Sequence, residues 1–297
     1  MSTLVAVDWG TSSLRGARLD AQGSVLEERA FARGILTVPP GGFPATFDGH
    51  FGDWMALPDS LCLIAGMAGS RQGWIEAPYC PCPAGFDELA HHLAWAVPGR
   101  IAIVPGLSCE HDGVPDVMRG EETQVFGALR VLGLRDALLV LPGTHSKWVQ
   151  VRDGWVVGFA TLMTGEFYAL LRRDSILART MSADDGELDE AAFDDGVALA
   201  LRDGGLLHHA FSVRSLALFD RLPAAQAPSY LSGLVIGDEL RSRQLSGDDP
   251  VVIVGADGLT RRYQRALAQC GVSAQCLAAQ ATWRGLYELA ARLADRH

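Results

Sequence analysis

The chain has no apolar run long enough to cross a membrane, since no window of 18 consecutive residues among its 297 is apolar. Its first residues also lack the basic start and the long apolar segment of a secretory signal. These two absences predict a cytoplasmic protein.

Positive charge is scarce as well: 25 Lys and Arg residues stand against 35 Asp and Glu, which gives a formal net charge of -10. A surface that binds nucleic acid or an anionic membrane needs clustered basic residues. We therefore expect neither kind of partner, although a local basic pocket for a phosphate or carboxylate remains compatible with this charge.

Cysteines are few and irregularly spaced. Of the six, only Cys80 and Cys82 are close together, and they lack the paired two-residue spacings of a zinc site. We expect free thiols, as in a reducing cytoplasm. The hydrophobic content of 48% is enough to bury one large core or two ordinary ones.

Two strand meanders follow from the apolar patterning, and both feed later helices. The first comprises residues 4–7, 13–19 and 25–32, and the second residues 137–141, 147–151 and 155–162. This duplication favours two α/β lobes over one doubly wound sheet. We place the lobes at residues 1–115 and 116–282, with a C-terminal amphipathic helix, residues 283–297, packing back on the first lobe.

The remaining elements are predicted from turn signals and apolar spacing. We expect strands at 61–65, 101–104 and 251–254, helices at 86–96 and 121–131, a proline-containing turn at 114–116, and mostly irregular chain at 34–59.

The turn between the first two strands, residues 8–15, is rich in glycine and hydroxyl residues (DWGTSSLR). Such a turn directs several backbone N–H groups at one point and can bind a phosphate, and a carboxylate at the strand end can hold the waters of Mg²⁺. The candidates are Asp8 for the metal and Gly10, Thr11, Ser12 and Arg15 for the phosphates. A plain hairpin turn is the alternative.

A second turn of this kind occupies residues 141–148 (LPGTHSKW), at the corresponding place in the second meander. Its phosphate candidates are Gly143, Thr144, Ser146 and Lys147. Two matched turns predict a nucleoside triphosphate held between two lobes. Lys147 and His145 could instead be solvated residues at a strand edge.

The two turns resemble the phosphate-one and phosphate-two hairpins of the actin-like ATPase and sugar-kinase superfamily. Residues 251–258 (VVIVGADG) resemble its adenosine loop, with Gly255 and Ala256 where the superfamily usually has two glycines. A buried strand followed by a polar turn is the structural alternative.

Five motifs, in order along most of the chain, resemble the 2-dehydro-3-deoxygalactonokinase family: DWGTSS (8–13), GMAGSRQGW (66–74), MRGEETQ (118–124), PGTHSKW (142–148) and TGE (164–166). The resemblance implies a two-lobed, actin-like (ribonuclease-H-like) α/β fold with ATP in the interlobe cleft. It also implies a Mg²⁺-dependent kinase for the terminal primary hydroxyl of 2-dehydro-3-deoxy-D-galactonate, in galactonate catabolism.

Other functions stay open at this point. The same chemistry could serve another sugar acid or sugar. An actin-like nucleotide-binding chaperone or filament protein is a different class, which would need extra subdomains or a substrate-binding tail. For assembly we consider a homodimer.

A catalytic acid is expected at the start of the helix at 121–131. Related sugar kinases place a catalytic Asp there, Glu121 is in register with it, and the adjacent Glu122 is a second catalytic candidate in a supporting role. The resemblance implies that Glu121 deprotonates the substrate hydroxyl. Acids are, however, also favoured in the first turn of any helix by its dipole.

Substrate contacts are expected from the glycine-rich loop and from the TGE motif. The candidates are Ser70, Arg71, Trp74, Thr164 and Glu166. Arg71 suits the substrate carboxylate because its planar fork can donate two hydrogen bonds. The alternatives are that Arg71 pairs with Asp87 or Glu88 on the surface, that Trp74 only packs, and that Thr164 is a helix cap.

Overall fold

The structure, a computed structural model, describes residues 3–57, 59–243, 245, 251–278 and 281–294. Its strands are β1 (Leu4–Trp9), β2 (Leu14–Leu19), β3 (Val25–Phe31), β4 (Leu61–Gly66), β5 (Tyr79–Pro81), β6 (Ala94–Val97), β7 (Ile101–Ile103), β8 (Gly106–His111), β9 (Val114–Met118), β10 (Ala137–Leu141), β11 (Ser146–Arg152), β12 (Trp155–Leu162), β13 (Val251–Val254) and β14 (Ala274–Leu277).

The helices alternate with these strands and dominate the second half. They are α1 (Phe43–Phe51), α2 (Phe86–His91), α3 (Glu121–Leu132), α4 (Thr164–Asp174), α5 (Glu190–Ala200), α6 (Leu206–His209), α7 (Ser212–Leu218), α8 (Ala227–Arg241), α9 (Asp257–Gln269) and α10 (Ala281–Ala294). None of the described helices is both long enough and apolar enough to span a membrane.

Tertiary contacts divide the chain into two compact units. The first runs from the N terminus to Ala137 and includes Val149–Ala160 and the segment from Leu277 onward, while the second comprises Leu138–Trp148 and Thr161–Cys276. The first unit thus extends past residue 115, because α10 packs along α3. The two helices approach closely where a Cβ on Gly285 would lie 2.0 Å from the carbonyl oxygen of Thr123.

The first unit contains a six-stranded sheet in the order β3-β2-β1-β4-β7-β6. The central strands β1, β4 and β7 are parallel, and β2 and β3 are added antiparallel. β1 is almost completely buried, as expected of a parallel strand that is covered on both faces. Since β1, β4 and β7 run the same way, their carboxyl ends lie at one edge of the sheet.

A five-stranded sheet has the order β12-β11-β10-β13-β14, and its β10 pairs with β13 in parallel. This order repeats the order β3-β2-β1-β4-β7 of the other sheet. The two predicted meanders are therefore confirmed, and the duplication extends to the next two strands of each sheet. The core of the second unit forms around α8, which is buried along most of its length.

Two predicted elements were wrong, one in the small sheet β5-β8-β9 and one at the β6 edge of the six-stranded sheet. Residues 114–116 are not a turn but the start of β9, which pairs antiparallel with β8. The helix predicted at 86–96 ends at His91, and β6 follows, because Ala94 and Trp95 pair with β7 in an antiparallel register. Cross-strand pairing thus outweighs the local helical pattern.

The segment 34–59 is less irregular than predicted, since it contains α1. Phe43, Phe47 and Phe51 recur every four residues, and all three are buried in the core of the first unit. This spacing is that of one helix face, so the signal was present in the sequence among the glycines and prolines.

Candidate active site

Asp8 lies near the end of β1, beside the end of β4. A Cβ on Gly66, which has a φ of 92°, would be 3.3 Å from Oδ1 of Asp8. A Cβ on Gly120, the N-cap of α3 with a φ of 103°, would be 3.1 Å from the Cα of Gly66. The fold therefore brings Asp8 and the start of α3 to the same edge of the sheet, as two of the candidate catalytic positions require.

The Asp8 carboxylate forms an ion pair with Arg15, with 2.5 Å between Oδ2 and Nη2. The side chain of Asp8 is 17% exposed and that of Arg15 37%. Arg15, a candidate phosphate ligand, thus contacts the candidate metal ligand directly. The guanidinium compensates the carboxylate charge at the open edge of the sheet.

The first hairpin turn is fixed by backbone contacts. The N–H of Gly10 donates to the carbonyl of Ser13 at 2.9 Å, and the N–H of Ile35 donates to the carbonyl of Gly10 at 3.0 Å. A side chain at Gly34 would collide with Thr11, since its Cβ would lie 2.1 Å from the Thr11 carbonyl oxygen. Thr11 and Ser12 are exposed, so their side chains can be reached by a ligand.

Glu121 and Glu122 both fold back on the N terminus of α3. Oε2 of Glu121 accepts from the N–H of Arg119 at 3.0 Å, and Oε2 of Glu122 accepts from the N–H of Gly120 at 2.6 Å. Glu122 is completely buried, whereas Glu121 is only partly so. Of these two acids, only Glu121 is accessible to solvent.

Burial raises the pKa of Glu122 to about 8, and the neighbouring charge of Glu121 adds to this shift. Its Oε1 atom is buried and has no hydrogen-bond partner among the described residues. A carboxyl group in this state is mostly protonated at neutral pH.

The raised pKa of Glu122 gives a prediction for stability. Between pH 4.5 and pH 8 the group ionises in the unfolded chain but not in the folded one, so its contribution to stability falls as pH rises. The loss is about 1.4 kcal/mol per pH unit. We expect the free energy of unfolding of Glu122→Gln, relative to that of the wild type, to increase at each step from pH 5.5 to 6.5 to 7.5. Denaturant unfolding without nucleotide measures it.

The matched control is Glu187→Gln, because Glu187 is exposed. The free energy of unfolding of this variant should differ from that of the wild type by the same amount at all three pH values. The interpretation of Glu122 is wrong if the difference in unfolding free energy between Glu122→Gln and the wild type is also independent of pH.

The glycine-rich loop after β4 carries three of the substrate candidates. Arg71 is 88% exposed and pairs with Glu76 at 3.0 Å, rather than with Asp87 or Glu88. Oγ of Ser70 is buried without a partner in the described part of the chain. Trp74 packs on Trp9 and Phe47, with ring centroids 6.4 and 5.5 Å away, so it has a structural role whatever else it contacts.

Arg119 is a residue of this loop region that the sequence analysis did not single out, although it lies inside the MRGEETQ motif. Its guanidinium stacks on the ring of Tyr79 at 4.3 Å and donates to the carbonyl of Ala77 at 2.8 Å. A Cβ on Gly69 would be 2.7 Å from Nη1 of Arg119. Arg119 therefore connects the glycine-rich loop, through its contact with Gly69, to the start of α3.

In the second unit, the TGE motif lies against the second hairpin turn. The N–H of Glu166 donates to the carbonyl of Thr144 at 3.0 Å, and its carboxylate is 2.5 Å from Nε2 of His145. A Cβ on Gly165 would be 2.3 Å from the carbonyl oxygen of Gly143, so only glycine fits there. Glu166 thus contacts the candidate phosphate loop and Gly165 packs against it, whereas the hydroxyl of Thr164 donates to Glu239.

The candidate adenosine turn, Gly255 and Ala256, follows β13 and precedes α9. A Cβ on Gly255 would lie 3.8 Å from Cδ of Pro142, which places this turn beside the second hairpin. Ala256 has φ −74° and ψ 142°, which any residue adopts. The backbone therefore does not require the second glycine that the superfamily usually has.

Ser146 and Lys147 are buried rather than at a solvated strand edge. Ser146 is 0% exposed and Lys147 5%. Nζ of Lys147 donates to Oγ1 of Thr161 at 2.8 Å, and Oγ of Ser146 donates to Glu239 at 2.7 Å. Glu239, on α8, is a further residue of this region that the sequence analysis missed.

The fold and these turns define a class. The chain has the actin-like ATPase and sugar-kinase fold, which it shares with a ROK family glucokinase from Streptomyces griseus solved in complex with glucose and AMPPNP. That structure has a TM-score of 0.50 at 14% identity and covers 98% of this chain and 100% of its own.

The family is narrower. Residues 8–289 match the model of the 2-keto-3-deoxy-galactonokinase family. The 2-dehydro-3-deoxygalactonokinase of Escherichia coli is 34% identical over 98% of both chains. A crystal structure of a protein described as a 2-dehydro-3-deoxygalactonokinase from Sinorhizobium meliloti has a TM-score of 0.89 at 40% identity, covering 98% of this chain and 99% of that one. This chain belongs to the 2-keto-3-deoxy-galactonokinase family.

Proposed function

We propose that this protein phosphorylates the terminal primary hydroxyl of 2-dehydro-3-deoxy-D-galactonate with ATP. The observation that carries the proposal is the convergence of Asp8, Gly66 and Gly120, which puts a carboxylate and the partly exposed Glu121 at one sheet edge. Family membership over residues 8–289 supplies the substrate class.

The proposed reaction is a direct in-line transfer. Glu121 accepts the proton of the substrate hydroxyl, whose oxygen bonds to the γ-phosphorus while the bond to the leaving ADP oxygen breaks. The proposed phosphate donors are the N–H groups and hydroxyls of each hairpin turn, those of Thr11 and Ser12 in the first unit and of Thr144 in the second. That one nucleotide engages both turns remains a prediction.

The residues also fit a magnesium ion. Mg²⁺ is commonly bound by one or two carboxylates together with phosphate oxygens and water, and Asp8 offers a half-buried carboxylate at the end of β1. When bound with the nucleotide, Mg²⁺ would neutralise phosphate charge. Asp8 would hold it, with Arg15 then free to turn toward the phosphates.

Arg71 is the proposed ligand of the substrate carboxylate. Its pair with Glu76 is exposed on both sides, so the pair stabilises little and can be exchanged for a ligand. The acidic chain as a whole does not attract an anion, so a local cation is needed. The planar fork of arginine can bind the carboxylate through two hydrogen bonds.

Replacing Arg71 by Ala or Lys should raise the KM for the sugar acid on the order of tenfold or more, because hydrogen bonds to a charged group are lost. The affinity for ATP should not change. Steady-state kinetics with each substrate varied in turn makes this measurement.

Two controls separate binding from a surface role. Glu76→Gln removes the same ion pair but leaves Arg71 in place, so it should not raise the KM for the acid. Arg221→Ala removes an exposed arginine elsewhere. If Glu76→Gln and Arg71→Ala behave alike, or if both Arg71 variants keep the wild-type KM, the carboxylate binds at another residue.

The test of the proposed function is ADP release with and without the sugar acid. A kinase should release ADP only when the acid is added. Release that is independent of any acid or sugar would favour an actin-like nucleotide-binding chaperone or filament protein. Cytoplasmic localisation and a homodimer remain predictions.

A further inference from the structure

A buried carboxylate lies beneath the second hairpin turn. Glu239, near the end of α8, is 2% exposed and accepts four hydrogen bonds. Two reach Oε1, from Oγ of Ser146 at 2.7 Å and from Nε1 of Trp148 at 2.6 Å. Two reach Oε2, from Oγ1 of Thr164 and from the hydroxyl of Tyr263 at 2.8 Å.

The four donors come from three different elements. Ser146 and Trp148 lie on β11, which begins directly after residues 142–145 of the second hairpin turn. Thr164 is the first residue of α4, and Tyr263 lies on α9. Burying a carboxylate is costly unless its oxygens are satisfied. Removing the carboxylate would therefore loosen β11, α4 and α9 from one another at this point.

In all four hydrogen bonds the partner donates and an oxygen of Glu239 accepts. Burial, followed by the charge of Glu239, raises the pKa of Tyr263 well above its usual value, so its hydroxyl keeps the proton and donates. The hydroxyl protons of Ser146 and Thr164 likewise face Glu239. Ser146 is completely buried as well, so neither its proton nor its oxygen is available to a phosphate.

We infer that Glu239 is a positioning residue for the phosphate-binding turn at residues 142–145. Through its bond with Ser146, Glu239 anchors β11, the strand that follows the turn. Through its bond with Thr164, it anchors the start of α4, against which the turn packs. The turn is thereby held with its own backbone N–H groups and the exposed Thr144 as the phosphate donors. This inference rests on the proposed function, since it assumes that the turn binds ATP.

The chain offers a matched pair of variants for the test. Ser146→Ala and Tyr263→Phe each remove one hydroxyl donor from the same carboxylate, and both residues are buried. Only Ser146 directly follows the turn at residues 142–145. Both variants should lower the melting temperature, but only Ser146→Ala should weaken ATP binding, measured by calorimetry without the acid.

We expect Ser146→Ala to raise the Kd for ATP on the order of tenfold, because a displaced turn loses well-oriented phosphate contacts. Tyr263→Phe should stay within about twofold, which is less than the effect of one typical hydrogen bond. The KM for the sugar acid should be similar to that of the wild type in both. Equal weakening of ATP binding by the two variants would overturn the inference.

Glu239→Gln distinguishes positioning from direct contact of Ser146 with the phosphate. Glutamine keeps the shape but replaces one accepting oxygen by an NH₂ group, which cannot accept from the two donors that face it. If Ser146 acts through Glu239, the double variant should bind ATP no more weakly than the worse single variant. Additive losses would contradict the inference.

These outcomes are separable from a failure of the proposed function. A wild-type protein that neither binds ATP nor phosphorylates the acid refutes the proposed function. A wild-type protein that does both, with Ser146→Ala indistinguishable from Tyr263→Phe, refutes only the role of Glu239. If Glu239→Gln does not fold, the comparison of Ser146→Ala with Tyr263→Phe still tests whether Glu239 positions the turn.

Discussion

Glu121→Gln is expected to lower kcat on the order of 10²–10⁴-fold, which is the usual contribution of a general base. The amide keeps the size of the side chain and can still accept from the N–H of Arg119, so the start of α3 should be preserved. ATP affinity should not change, because the lost interaction forms with the substrate hydroxyl. Steady-state turnover together with calorimetric ATP binding measures both.

The matched control for this variant is the neighbouring Glu122→Gln. Glu122 is completely buried and bonded to the N–H of Gly120, so we do not expect it to contact the substrate. Its replacement should leave turnover within about tenfold of the wild type, well below the loss of a base. A more damaging effect of Glu122→Gln would show that the register of the catalytic acid is off by one residue.

Asp8→Asn is expected to lower kcat on the order of 10²–10³-fold, because electrostatic stabilisation of the migrating charge is lost. The concentration of Mg²⁺ needed for half-maximal turnover should rise as well, since an amide binds the ion more weakly than a carboxylate does. Titration of turnover with Mg²⁺ at saturating ATP and sugar acid tests both effects.

Loss of the ion pair between Asp8 and Arg15 is a competing explanation of that effect. Arg15→Met removes the same ion pair and keeps the carboxylate, so its half-saturating Mg²⁺ concentration should stay near that of the wild type. Near-normal turnover of Asp8→Asn at saturating Mg²⁺ would show that Asp8 does not hold the metal.

The two hairpins could be predicted from the sequence because their signals are local. A short buried strand, a glycine-hydroxyl turn and a second strand lie within about 16 residues in each meander. The edge at which Asp8 and α3 meet was not predicted, because it depends on the parallel pairing of β1 with β4, which are far apart in the sequence.

Glu239 could not be found this way, because its partners are far along the chain. Ser146 is 93 residues away and Thr164 is 75. In the sequence, Glu239 follows Asp238 near the end of an apolar helix, where acids are usually solvated side chains. Only the packing of α8 shows that it is buried.

The missed strands have a similar cause. β9 contains Pro115 and has an exposed face, so its pattern resembles a turn, and its strand character depends on pairing with β8. β6 is short and half-buried, and it is stabilised by β7. Long-range pairing decides such segments, and local propensity alone does not.

The central claim is that this chain transfers the γ-phosphoryl group to the terminal hydroxyl of a 2-keto-3-deoxy sugar acid. The direct measurement is coupled ADP release with a panel of these acids and of neutral sugars, followed by phosphorus NMR of the product. We predict the highest kcat/KM for 2-dehydro-3-deoxy-D-galactonate, with one new phosphate ester on its terminal carbon. A preference for a neutral sugar such as glucose, or ADP release without any ester, would contradict the account.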